Sequence, residues 1–207
     1  MNAREVARQT TRAGVAALPV ATLGGALVGA AIAATAATSR ESADAIGWLA
    51  RHGPVAVAPI TAALCAAAPV GARMAGDIAA LRGGETLLWL RASGHSELRH
   101  VGLPRFLAAL LVMPIAALLC SGALLGVASL LAAPRGAGTA PFAAVTTSAL
   151  AMGSLLAAGF GAALAGVACV VGFATHTGVA RAASRGAAAS LLVVAALGAV
   201  WLAGRIA

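Results

Sequence analysis

Charge is scarce in this 207-residue chain, so the places where it gathers are the places to look for chemistry. Between Gly71 and Arg105 the sequence reads GARMAGDIAALRGGETLLWLRASGHSELRHVGLPR, with five of the fourteen arginines and the acids Asp77, Glu85 and Glu97. His95 and His100 stand five apart, which does not align them on one helical face, and no HExxH occurs. They read as solvated or headgroup-facing side chains rather than metal ligands. A Walker-type phosphate loop needs a lysine, and the chain has none, so it cannot hydrolyse ATP by that device. His176 and Ser93-Gly94-His95 are the remaining candidates for enzymatic work, but no GxSxG nucleophile turn accompanies them. Cys65, Cys120 and Cys169 each sit alone in a different apolar run and read as small buried apolar groups. No acidic residue interrupts those runs, so the usual carboxylate of an ion-coupled transporter is missing.

Composition says what must position these residues. Hydrophobic residues make up 61% and charged residues 10%, against roughly 45–50% and 25% in an ordinary soluble domain. Too few charges remain to cover a soluble surface, so much of the surface faces lipid. The net charge of +8 is all arginine, set between apolar runs. That placement suits topology and headgroup contact rather than nucleic acid.

Five apolar runs follow one another, predicting an all-α integral membrane protein with about five transmembrane helices. The spans are placed at 13–38, 54–72, 106–133, 152–174 and 187–203, within one domain over 1–207. The first run has 26 uncharged residues, above the roughly 20 that cross a bilayer as a helix. Arg4, Arg8 and Arg12 before it suit either a helix on an anionic membrane surface or a frayed tail that orients the first span. Pro54, Pro59 and Pro69 predict a kinked or broken second helix. Residues 142–151 are mildly apolar and read as a short re-entrant or interfacial piece. Two GxxxG pairs, Gly25/Gly29 and Gly122/Gly126, offer close helix contact.

Within the charged stretch, Gly83-Gly84 and Gly94 bracket ETLLWLRAS, a short predicted helix with Glu85 in its first turn and Arg91 in its last, as the helix dipole favours. Leu87, Leu88, Trp89 and Leu90 give it the apolar patch of a docking element, though Trp89 also suits the headgroup level. Pro104 suits the first turn of the third span. Assigning the N-terminus to the cytoplasm puts ten arginines inside and Arg40, Arg51, Arg135 and Arg205 outside. The charged segment 73–105 then lies in the cytoplasm.

From Ala58 to Arg105 the chain resembles the MlaE/YrbE permeases, membrane subunits of ABC-type lipid transporters that work with MCE-domain proteins. The family pattern APVVxALLxAGRxGAxxAAExGxMxxTEQIDALxxMGxDPxxYLVxPR aligns without a gap. Ala58-Pro59, Gly71, Asp77 (for Glu), Glu85, Leu90, Gly94 and Pro104-Arg105 fall in register. ACVVGF, with Cys169 and Gly172, and GVARAASRGAAAS, with Arg181, are similar to the family's later segments, and the start resembles the actinobacterial branch. The chain departs from the pattern at Pro69, in place of an arginine, at Val55 and Ala56, in place of Arg-Glu, and at Leu88, in place of an acid. About three residues are missing before Gly178, and the N-terminal interfacial helix is shortened.

The resemblance implies a dimeric permease in the inner membrane, each half bound to a cytoplasmic ATPase that holds the ATP and Mg, this chain carrying no cofactor or metal. The helix between the second and third spans becomes the coupling element, with Glu85, Leu87, Leu88, Arg91, Gly94 and Glu97 as its contacts. Two other readings stand beside it: a membrane scaffold subunit that binds the ATPase but moves nothing, and a small intramembrane enzyme built on His176.

Overall fold

Side chains that are apolar around a whole helix leave the backbone to satisfy its own hydrogen bonds, and in lipid the helix is the way to do so within one segment. The structure, a computed structural model, describes residues 3–38, 42–133, 145–175 and 178–206. In chain order these form α1 (Ala3–Thr38), α2 (Ser42–His52), a π-helical turn (Gly53–Val57), α3 (Ala58–Gly83), α4 (Glu85–Ala92), a second π-helical turn (Leu98–Gly102), α5 (Leu103–Ala132), α6 (Thr147–Ala174) and α7 (Val179–Ile206). Among the described residues, five segments are long and apolar enough to cross a membrane: Arg4–Ala36, Gly47–Gly83, Leu98–Ala132, Thr147–Ala174 and Val179–Gly204. No strand occurs among the described residues.

The helices run past the apolar stretches that define them. α1 has 36 residues, about 54 Å at ~1.5 Å per residue, against a hydrocarbon core of about 30 Å. The basic start is therefore neither a frayed tail nor a separate surface helix; it is the first turns of the span. α3 likewise carries Arg73, Asp77 and Arg82 on its own last turns, where the sequence suggested the charged segment had begun. Residues 147–151, read from sequence as part of an interfacial piece, open α6, and 142–144 lie outside the described residues. α7 begins at Val179, so Arg181 and Arg185 are helical rather than a polar turn.

The prolines of the second span produce a π-helical turn rather than a break. Pro54 and Pro59 each lack an N–H, and the ladder shifts so that the Ala58 N–H bonds the Gly53 carbonyl. Gly153 of α6 lies against the Pro54 carbonyl, so closely that a Cβ there would collide with it. Pro69 is carried inside α3. Pro104 occupies the first turn of α5, as its missing donor favours.

α3 is the central helix, packed on α1, α5, α6 and α7. Half of its most apolar window is buried, against 22% for α1 and α7. The core around it is mostly alanine (Ala58, Ala62, Ala63, Ala66, Ala67), closed by Met113, Phe160 and Leu164. Small side chains bring backbones into contact: a Cβ at Gly25 or Gly29 of α1 would strike the carbonyl oxygen of Cys120 or Leu124 on α5. Gly71 of α3 meets Gly186 and Ser190 of α7 in the same way. Large apolar side chains such as Leu27, Leu130, Leu155, Leu192 and Val200 point outward, more than two thirds exposed, as a lipid-facing surface requires.

Up-and-down topology gathers the charges at one end. The start of α1 meets the end of α3, where Arg73 donates to the Arg12 carbonyl at 3.4 Å. The end of α3, the approach to α5 and the end of α6 line one groove. Gly178 and Val179 lie beside Ala79, Arg82 and Gly83, which brings the start of α7 to the same end. The arginines of α1, α3, α5 and the first turns of α7, with Arg99 between, therefore gather at one end of the molecule.

Candidate functional site

The arginine-rich end is built around the short helix α4. Gly84 ends α3 by turning extended (φ −93°, ψ 168°). At the other end Gly94 takes φ +71°, a left-handed conformation that costs glycine nothing. The Ser93 and His95 N–H groups then bond the Trp89 and Leu90 carbonyls, each at 2.9 Å, the second of these being the long bond that closes a Schellman cap. α4 spans Glu85–Ala92, one residue short of the helix expected from its bracketing glycines.

Leu87 anchors α4 to the bundle. It is 3% exposed and packs in a cluster with Ile78, Val101 and Cys169, flanked by Leu81, Leu90 and Phe173. Its side chain faces the protein. Trp89 points away, 67% exposed. Glu85 opens α4, and Leu88 and Arg91 lie along its backbone; their side chains fall outside the described residues. Glu97 is half-buried beside the second π-helical turn, where it lines a groove together with Arg82.

Linear spacing concealed one contact. Between His95 and His100 the chain turns at Ser96, whose carbonyl accepts from the Arg99 and His100 N–H groups, and the two rings meet with centroids 5.0 Å apart, nearly perpendicular. Each Nδ1 lies near a backbone carbonyl, Ser93 for His95 at 3.1 Å and Ser96 for His100 at 3.2 Å. Both rings are exposed, and no group of three potential metal ligands occurs among the described residues. His176 lies outside the described residues.

A second polar cluster, which the sequence did not announce, ties α1 to this end. Arg105 sits in the first turn of α5, 7% exposed. It donates from a terminal nitrogen to the Val101 carbonyl at 2.7 Å, while its Nε has no hydrogen-bond partner among the described residues. Asp77 and Glu5 attract its charge, and Arg12 repels it. Gln9 is buried and donates to Glu5 at 2.8 Å, and Gln9, Arg12, Arg73 and Asp77 share one shallow crevice between α1 and α3. No motif marks Gln9; its burial follows from its standing four residues before the inward-facing Ala13, on the same helical face.

The remaining motif positions lie elsewhere in the bundle. Pro59 lies in the first turn of α3, Gly71 in its seam with α7, and Gly172 packs against Ile78, where a Cβ would lie 2.8 Å from the isoleucine Cβ. Arg181 is exposed on the first turns of α7. Residues 6–203 match the family model described as Permease MlaE. The chain belongs to the MlaE permease family. The match takes in α4 and all but the outermost residues of the five candidate spans. No curated protein matches the chain. An MlaE-family permease with five such helices is a multi-pass membrane protein and a transporter subunit.

Proposed function

We propose that the chain is the permease subunit of an ABC-type lipid transporter, driven by a separate ATPase that docks on α4 and carries the ATP and Mg. The observation that carries this reading is the build of α4. It is a short helix flanked by Gly84 and Gly94, held to the bundle by buried Leu87, and presents Trp89 outward at the arginine-rich end. Excess arginine is typical of the cytoplasmic side of a membrane protein, which supports α4 as within reach of an ATPase. Because Leu87 joins α4 to α3, the approach to α5 and α6, a pull on α4 is transmitted to three spans. ATP-driven closure of two ATPases would then reshape the space between two such permeases. A second permease and MCE-domain proteins complete the assembly on this reading, in the inner membrane with the N-terminus cytoplasmic.

Co-purification with the cognate ATPase tests it. Trp89→Ala and Glu85→Lys should each lower ATPase recovery at least tenfold while membrane insertion stays normal, as the loss of an exposed aromatic anchor at an interface predicts. Unchanged recovery for both would remove α4 as the docking element. The departures at Pro69 and Leu88 favour a second reading, a scaffold that binds the ATPase but moves nothing. ATP-dependent lipid movement in vesicles holding the whole complex excludes it.

A further inference from the structure

A groove of about 690 Å³ opens between the end of α3, the approach to α5 and the last turns of α6. Its size is within the ~300–1,000 Å³ of small-molecule sites. The walls are Leu98, Leu103, Phe106, Val170 and Phe173, with Gly102, Gly166 and Ala174 leaving room between them. Two ionic groups share it, Arg82 from the last turn of α3 and Glu97 from just before the second π-helical turn. From Gly166 to Ala174 it follows α6 for eight residues, about 12 Å at ~1.5 Å per residue. It thus runs from the charged end of the bundle toward the hydrocarbon region. Leu98 and Val170 are about two thirds exposed on it.

We propose that this groove is a phospholipid site. It takes an acyl chain between Phe106, Val170 and Phe173, and a headgroup with both a phosphate and a primary ammonium. Arg82 meets the phosphate and Glu97 the ammonium. A purely anionic headgroup would satisfy Arg82 but set its charge against Glu97, so the pair selects for a zwitterion. A quaternary ammonium has no N–H to donate to the carboxylate, so the primary amine is preferred over choline. Both residues already engage neighbours, and the headgroup joins that polar rim. The site requires only that these helices lie in a bilayer, so it stands or falls apart from lipid transport and ATPase docking.

Gly166 gives a clean test, because a Cβ there meets nothing within 4 Å although the residue lines the groove; Gly159, on the same helix and outside the groove, is equally open. Full-length delipidated protein in detergent is titrated with phosphatidylethanolamine, phosphatidylcholine or phosphatidylglycerol of identical chains, and bound lipid is read by native mass spectrometry. One phosphatidylethanolamine per chain should be retained, at least tenfold more tightly than phosphatidylglycerol. Gly166→Leu should weaken this tenfold or more with the melting temperature unchanged, Gly159→Leu should leave it intact, and Glu97→Gln should erase the preference over phosphatidylcholine. Equal retention of the three lipids overturns the proposal. So does unaltered retention in Gly166→Leu, the result expected if the groove holds a partner polypeptide or a second copy and the lipid is merely annular.

Discussion

Single residues decide which of two identical motifs is used. Gly25 and Gly29 press on α5 carbonyls, whereas a Cβ at Gly122 or Gly126 meets nothing within 4 Å. Leucine at Gly25 or Gly29 should force α1 from α5 and cost about 1–3 kcal/mol, seen as a lower unfolding temperature in detergent. Leucine at Gly122 or Gly126 should leave that temperature unchanged. The sequence displayed both GxxxG pairs alike, because the motif records small size and not what lies opposite. Ser190 shows the converse. Its hydroxyl is fully buried beside Gly71 with no hydrogen-bond partner among the described residues. Ser190→Ala removes an unsatisfied group and should hold or raise the unfolding temperature; a clear drop would reveal a partner for that oxygen.

Among the elements, α4 was the most legible, since two glycine signals and a polar-apolar-polar order bracket it. What the sequence did not disclose is which of its leucines faces the protein, because four apolar residues in a row give no phase. Leu87→Ala should cost roughly 2–5 kcal/mol if its cluster cannot collapse, and hydrogen exchange over 85–92 should accelerate before the spans do. Gly94→Ala should cost about 1 kcal/mol from the left-handed backbone alone, seen as a slightly lower unfolding temperature with the bundle intact. The overlong helices were missed for a plainer reason. Helical hydrogen bonds continue through Arg73, Asp77 and Arg82 because helix formation depends on backbone geometry, while the apolar run marks only the part that meets lipid.

For the whole molecule, five apolar runs were enough to give the class and number of the spans. Pairing of the helix ends was not readable from them, and it is what assembles the arginine-rich face and buries Arg105. Cysteine labelling reads the orientation directly, since Cys120 and Cys169 are buried and Cys65 is half-buried. Ser96, exposed beside α4, and Ser148, exposed at the start of α6, stand at opposite ends of the bundle. With Ser96→Cys, a membrane-impermeant maleimide should react only in inverted vesicles, and with Ser148→Cys only in intact spheroplasts. The reverse pattern would put α4 beyond the reach of a cytoplasmic ATPase.

The seam between α1 and α5 also has an entropic consequence. In lipid, helices gain nothing from the hydrophobic effect when they associate, so contact itself must hold them. Glycine and alanine have no rotamers to freeze, whereas a buried leucine or isoleucine loses ~0.5–1 kcal/mol of side-chain freedom. A seam made of Gly25, Gly29 and opposing carbonyls therefore keeps nearly all its contact enthalpy as net attraction. Its strength should also vary little with temperature, which suits a bundle with so few large side chains in its interior.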